Sequence, residues 1–110
     1  MLIYLTKFPT QECISRLTKS PLHYRINWLY SRDYEVESIS PTQLFITFTR
    51  GYNLTDHRTR YQVDFCEYDS QTKVVMRFVD EENGFPYPFV TDYEISKLLE
   101  QRIGAKLFTE

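Results

Sequence analysis

Glycine and cysteine are scarce in this 110-residue chain, which has three glycines and two cysteines. Three widely spaced glycines cannot form a glycine-rich phosphate-binding loop, so we do not expect a nucleotide-hydrolysing enzyme. Cys13 and Cys66 have neither a C-x-x-C spacing nor the spacing of metal ligands. We therefore expect both to be buried free thiols in a reducing compartment.

A large charge of one sign and long apolar runs are also missing. Fifteen acidic residues against thirteen Lys and Arg leave a formal net charge of -2, so no basic excess favours nucleic acid as a partner. The apolar runs are only a few residues long, too short for a transmembrane helix, and the first residues lack the basic segment of a signal peptide. We expect a cytoplasmic protein that does not associate with membranes.

Aromatic residues are the abundant class, at 16% of the chain, with nine Tyr and eight Phe. Together with 42% hydrophobic and 25% charged residues, they predict one globular domain over residues 1–110. A buried tyrosine hydroxyl needs a hydrogen-bond partner or an outlet to water. We expect the tyrosines either to line a cleft or interface, or to lie half-buried on an open sheet face.

Alternating apolar residues and short apolar segments predict five strands, at residues 2–5, 34–39, 44–49, 61–68 and 72–80. An early helix is predicted from Thr10, with Cys13, Ile14 and Leu17 on one face, and it should end before Pro21. We expect the segment from 22 to 30 to be irregular or weakly helical. Short turns between consecutive strands indicate antiparallel pairing.

The strongest helix signal lies near the end of the chain. Thr91 and Glu94 have the spacing of a capping box, and Gly104 is placed either to end the helix or only to weaken it. The apolar stripe comprises Ile95, Leu98, Leu99 and Ile103, with Leu107 continuing it. The predicted fold class is α+β, in the order β-α-β-β-β-β-α, with a mainly antiparallel sheet packed on the C-terminal helix. The opposite face still carries Phe45 and Val75, which need a cover or a partner.

This order of a first strand, an early helix, antiparallel strands and a closing amphipathic helix resembles a shortened START-like helix-grip fold. The resemblance implies a curved sheet around the C-terminal helix, with an apolar cavity between them. The chain differs in having fewer strands and one early helix where two are typical. The segment from 10 to 17, followed by strands and a Pro-aromatic stretch, is also similar to small uncharacterised bacterial proteins.

The stretch from 85 to 89 alternates aromatic residues with proline, which favours extended or polyproline-like backbone rather than helix. Phe85, Tyr87 and Phe89 on such a backbone lose little entropy on binding and are candidate interface anchors. In the alternative interpretation, the segment crosses the end of the sheet and buries Phe85 and Phe89 in the core.

The segment from 50 to 60 is predicted to be the longest polar loop, and it supplies the candidate polar residues Arg50, Tyr52, Asp56, His57, Arg58 and Arg60. Asp56 and His57 have the residue types of an acid-base pair, but no third partner is identifiable. Because adjacent residues on a loop often point apart, a solvated loop pair is the preferred interpretation. The acidic run at 80–82 is interpreted as solvated charge before a turn. We therefore predict no catalytic residues, no metal site and no cofactor.

These features favour a non-enzymatic cytoplasmic binding or protein-interaction module, whose partner is another protein or a second copy in a homodimer. The alternative is a carrier of a small apolar ligand of the helix-grip type. The candidate lining of its cavity is Phe48, Phe65, Met76, Phe78, Leu98 and Leu99.

Overall fold

A computed structural model of the chain describes the backbone at residues 2–19, 23–27, 30–52, 55–82 and 88–108. Side chains are described at 2–19, 34–49, 51, 56–81 and 93–108. The strands are β1 (Leu2–Thr6), β2 (His23–Asn27), β3 (Tyr30–Ser40), β4 (Gln43–Tyr52), β5 (Thr55–Tyr68), β6 (Gln71–Glu82) and β7 (Lys106–Leu107). The helices are α1 (Thr10–Lys19) and α2 (Pro88–Ile103).

The seven strands form one sheet in the order β2-β3-β4-β5-β6-β1-β7, and every neighbouring pair is antiparallel. The predicted α+β class with a mainly antiparallel sheet is confirmed. The sheet has more strands than the five predicted. The two additional strands, β2 and β7, are short and have weak sequence signals. β1 lies beside β6, so the start of the chain is placed next to its last long strand.

Two segments predicted to lack strands belong to the sheet. Residues 23–27, expected to be irregular or weakly helical, form β2 and pair with β3. The predicted polar loop from 50 to 60 is instead the end of a long hairpin, in which β4 and β5 pair as far as Tyr52 and Thr55. Strand pairing is made by backbone groups, so it continues where neither face has the apolar alternation that sequence reading depends on.

The hairpin between β5 and β6 has a two-residue turn at Asp69 and Ser70. Their φ angles are 47° and 66°, both in the left-handed region. This is the geometry of a type I′ turn, whose backbone twist matches that of the strands it joins. The turn fixes the pairing of Tyr68 with Gln71 and so sets the register of the two longest strands.

One face of the sheet, called the inner face, packs against α2. The predicted apolar stripe is confirmed, since Ile95, Leu98, Leu99 and Ile103 are all buried. α1 contributes Cys13 and Leu17 to the same core. The inner-face side chains in this core are Tyr4, Tyr34, Leu44, Ile46, Phe48, Tyr61, Val63, Phe65, Val74 and Met76.

The ends of α2 differ from the expectation. The helix begins at Pro88, so Thr91 lies inside it rather than at its N-cap, and residues 88 and 89 are helical rather than extended. Proline is tolerated in the first helical turn because its missing N–H has no partner there. Of the two alternatives for Gly104, the structure has the one in which it ends the helix, with φ of 61° and its N–H bonded to the Glu100 carbonyl at 3.0 Å. Leu107 does not continue the stripe, because it lies in β7 and is exposed.

Buried hydroxyl groups join the end of the sheet to the end of α2 and to the segment that precedes α1. The Thr6 hydroxyl donates to the Ile103 carbonyl at the end of α2 and accepts the Phe8 N–H at 3.3 Å. The Thr72 hydroxyl donates to the Phe8 carbonyl at 2.7 Å. Since Thr6 and Thr72 are cross-strand partners, these bonds hold the chain around Phe8 and the end of α2 to one end of the sheet.

Candidate interaction surface

The three candidate interface aromatics lie outside the described side chains. Residues 85 and 87 are not among the described residues, and Phe89 is placed in α2 by its backbone alone. The interpretations of this segment as an interface and as a core strap both remain predictions.

The candidate polar residues lie on paired strands instead of a loop. Arg50 pairs with His57 and Tyr52 with Thr55 through the backbone, and the side chains at 50 and 52 are outside the description. The Arg58 and Asp56 side chains, two residues apart on β5, approach to 3.7 Å between Nη2 and Oδ2. Both side chains are exposed, so this ion pair contributes little to stability.

Arg60 covers one of the aromatic rings on the outer face, the face opposite α2. Its guanidinium carbon lies 4.1 Å from the centre of the Phe45 ring, the geometry of a cation–π contact. The same side chain reaches Glu37 on β3, with Nη2 and Oε2 3.7 Å apart. Arg60 therefore bridges three strands, and Phe45 is half-buried under a side chain of its own sheet.

A second polar group on the outer face centres on Asp64. Gln43 donates to its Oδ1 at 2.7 Å and Gln62 to its Oδ2 at 3.1 Å. Val75, the cross-strand partner of Asp64, is half-buried. The middle of the outer face is thus covered largely by its own polar side chains, which makes it a poor candidate for a docking surface.

The candidate cavity residues are divided by the structure. All of them except Phe78 are buried in the one core cluster between the sheet and α2. Phe78 on β6 is 57% exposed, and its ring meets Tyr61 edge-on at 6.3 Å. None of these residues lines either of the two surface depressions described below.

The two cysteines lie in different environments, and neither forms a disulfide. Cys13 on α1 is fully buried, and burial, with the nearby Glu12 carboxylate, raises the pKa of its thiol to about 11. Such a thiol stays protonated and unreactive at neutral pH. Cys66 on β5 is exposed, so the prediction that both thiols are buried is wrong for Cys66. Its side chain follows the alternation of β5 away from the inner face.

A largely apolar depression of about 720 Å³ lies at the β7 edge of the sheet, and we call it the β7 groove. It forms where the turn after β1, the end of α2 and β7 meet, the region held by the Thr6 and Thr72 hydroxyls. Its lining is Leu5, Thr6, Lys7, Phe8, Gln71, Ile103, Gly104, Lys106, Leu107 and Phe108.

Several contacts hold the walls of the β7 groove in place. The Phe108 N–H donates to the Ile3 carbonyl at 2.8 Å, which extends the pairing of β7 with β1. The Phe108 ring packs edge-on against Tyr68 at 5.7 Å. Leu107 is 56% exposed, which is unusual for a leucine fixed on a strand beside other apolar groups. The groove therefore presents apolar surface on a formed backbone.

The charge in the β7 groove is entirely positive. Lys7 and Lys106 are its charged residues, and its lining contains no carboxylate. Neither lysine forms an ion pair within the part of the chain that the structure describes. An apolar site with two ammonium groups that form no ion pair favours an occupant with apolar side chains and negative charge.

A more polar depression of about 650 Å³ lies next to this groove and shares Lys7 and Gln71 with it. It is lined by the start of α1 and by the β5–β6 turn, and Glu12 and Glu67 contribute negative charge. Because its charges are mixed and its apolar surface is smaller, it makes the weaker binding site of the two.

Sequence reasoning missed the β7 groove because all of its lining residues except Gln71 come from two segments far apart in the chain. Residues 5–8 and 103–108 approach each other only through the pairing of β1 with β7. The available signal was local: Leu107 and Phe108 lie three and four residues after the helix-ending Gly104, so their apolar side chains cannot belong to the helical stripe.

The described residues contain no cluster of three or more His, Cys, Asp or Glu side chains suited to a metal ion. Of the described helices, neither is long and apolar enough to cross a membrane. No protein family, curated protein or solved structure matches the chain.

Proposed function

We propose that this protein is a non-enzymatic interaction module of the cytoplasm that binds a protein partner at the β7 groove. The observation that carries the proposal is the composition of that groove, in which exposed apolar side chains are accompanied by Lys7 and Lys106 without any carboxylate. Apolar contact supplies affinity, and the two lysines select for negative charge.

The backbone around the groove supports this function because it is already ordered. The hydroxyls of Thr6 and Thr72 hold the Phe8 region and the end of α2, and Phe108 is held by Ile3. A preformed site loses little conformational entropy when its partner binds.

The cysteines support the cytoplasmic location. Cys66 is an exposed thiol, and Cys13 is a buried one. In an oxidising compartment, an exposed thiol would be open to oxidation or to a disulfide between molecules. A reducing compartment preserves it.

The test uses 8-anilinonaphthalene-1-sulfonate, a dye that combines apolar rings with one negative charge, as the probe. We expect the fluorescence of the dye to increase when it binds the wild-type protein. Leu107→Ser and Lys106→Glu should each weaken this binding several-fold. Ile39→Ser and Lys19→Glu are matched controls, because they remove an exposed apolar side chain and an exposed lysine elsewhere. Equal dye binding by all five proteins would refute the proposal.

A second candidate function is the carriage of a small apolar ligand between the sheet and α2. It is supported by the closing helix, which packs on the inner face of the antiparallel sheet. This is the layout that the helix-grip resemblance implies.

Native mass spectrometry of the purified protein separates the two candidate functions. A carrier would retain a small molecule, and Phe48→Trp or Leu98→Trp would expel it by filling the space between sheet and helix. Neither substitution should change dye binding at the β7 groove. Protein without any retained molecule, and without uptake of added fatty acid or sterol, would reject the carrier.

A further inference from the structure

The sheet has a stepped edge on its β1 side. β1 pairs with β6 only from Thr72 to Met76, and β7 pairs with the far side of β1. In the described residues, the part of β6 from 77 to 82 therefore has β5 on one side and no strand on the other. We call β1 with β7 the protruding half and residues 77–82 of β6 the recessed half.

The part of the recessed half that follows the exposed Arg77 has the chemistry that the β7 groove selects. Phe78 and Val79 are 57% and 41% exposed. Asp80 and Glu81 follow them directly, and both are exposed. Neither carboxylate has an ion-pair partner among the described residues. An extended segment of this chain thus carries apolar side chains and negative charge in sequence.

The backbone of β7 can accept another strand. Phe108 directs its N–H to Ile3 on β1. Because hydrogen-bonding residues alternate along an antiparallel strand, the N–H and C=O of Leu107 point away from β1. They lie beside the groove and face outward from the edge of the sheet, where an added strand would bind.

We propose that the occupant of the β7 groove is a second copy of this chain, whose recessed half adds to β7 as a strand. Phe78 and Val79 of each copy lie against the apolar edge of the other copy's groove. Asp80 and Glu81, whose side chains leave the strand on opposite faces, carry the negative charge that Lys7 and Lys106 attract. This inference rests on the proposed function of the groove and identifies its partner.

The stepped shape makes the contact twofold. The protruding half is two strands deep, about 10 Å at the usual strand spacing. A twofold axis normal to the sheet places the protruding half of each copy against the recessed half of the other. The same contact then forms twice and closes the assembly as a dimer.

Charge exchange tests the dimer by sedimentation equilibrium. We expect the double variant Lys7→Glu/Lys106→Glu to raise the dimer dissociation constant by at least about tenfold, since each reversed charge acts at both contacts. The double variant Asp80→Lys/Glu81→Lys should raise the dimer dissociation constant by a similar factor. Combining the four substitutions, or mixing the two double variants, should restore association. Lys19→Glu/Glu35→Lys is the matched control and should dimerise like the wild type.

The outcomes separate this inference from the proposed function when dye binding is measured on protein diluted below the dimer dissociation constant, because the dye and the second copy occupy the same groove. If the dye binds the groove but the wild type stays monomeric at 100 µM, the groove takes another partner and the dimer is rejected. That result would mean that Lys106 and the acidic residues keep sheet edges apart instead of joining them. A dimer that both double variants leave intact would use another surface and would also reject the inference. A wild-type protein that neither binds the dye nor dimerises would reject both proposals.

Discussion

The two faces of the sheet are made by the same strands, yet different forces cover them. On the inner face, apolar side chains are excluded from water by α1 and α2, and the hydroxyls of Thr6 and Thr72 are bonded to backbone carbonyls. On the outer face, side chains of the sheet cover one another, as Arg60 covers Phe45 and the glutamines surround Asp64.

This difference indicates where stability resides and where substitution is tolerated. Removing apolar surface from water stabilises by roughly 25 cal/mol per Å², so the inner face provides most of the folding free energy. Exposed ion pairs and cation–π contacts each add only about 1 kcal/mol or less. The inner face should therefore tolerate substitution poorly, and the outer face and the sheet edges should tolerate it well.

The largest expected effect is at the centre of the inner face. Leu99→Ala should lower the free energy of unfolding by about 2 to 5 kcal/mol, because Leu99 is fully buried and the truncated side chain leaves a cavity. Urea denaturation followed by circular dichroism measures the change. Ile39→Ala, at an exposed leucine-sized side chain on β3, is the control and should cost less than about 1 kcal/mol. Equal losses at both positions would contradict the assigned inner face.

The second-largest expected effect is a pH dependence of the free energy of unfolding, and it arises at Cys13. Burial raises the pKa of this thiol from 9.0 to about 11, so the folded protein holds its proton more tightly than the unfolded chain does. Below pH 9, the thiol is protonated in both states and adds no pH dependence. Between pH 9 and 11, unfolding releases the proton, and stability should decrease by about 2 kcal/mol as pH rises.

Cys13→Ala isolates this contribution from the tyrosines and lysines that titrate in the same range. The variant should be less stable at pH 7, and the stability difference from the wild type should shrink as pH rises to 11. In native protein, a thiol reagent should label Cys66 quickly and Cys13 only after unfolding. A constant stability difference across this pH range would mean that Cys13 does not ionise as described.

The fold was predictable where one face of an element is buried. Val63 and Phe65 alternate with polar neighbours along β5, and Ile95 and Leu99 repeat at helical spacing, so both elements were identified. The end of the β4–β5 hairpin was missed because its residues are mostly polar, and even the buried position there is a threonine, Thr59. Backbone pairing alone leaves no periodic signal in a sequence.

The candidate surface was less predictable than the fold. The apolar character of Leu107 was visible, but its position on an edge strand depends on pairing with β1, almost the whole chain away. The cover that Arg60 gives to Phe45 likewise depends on the register of β4 with β5. Contacts between distant segments follow from topology, which local patterns do not contain.

A smaller effect is expected at the end of α2, where backbone conformation rather than burial matters. Gly104→Val should lower the free energy of unfolding by about 1 to 2 kcal/mol, because φ of 61° is unfavourable for a residue with a branched side chain. A Cβ at this position would lie 3.7 Å from the Phe8 ring, an ordinary contact, so steric overlap is not the cause. Gly104→Asn is the control and should cost less, since asparagine tolerates this region. Thermal unfolding compares the two, and equal losses would contradict the conformational explanation.

The smallest effect is expected on the outer face, where Arg60→Ala should lower the free energy of unfolding by about 0.5 to 1 kcal/mol. A double-mutant cycle with Phe45→Leu should give a larger coupling energy than one with Glu37→Gln. The guanidinium lies directly over the Phe45 ring, whereas Glu37 is mostly exposed and 3.7 Å away. Repeating both cycles in 1 M NaCl should reduce the Glu37 coupling more strongly, because salt screens exposed charges. If Glu37 instead showed the larger coupling, the outer face would be held by ion pairs rather than by the cover over Phe45.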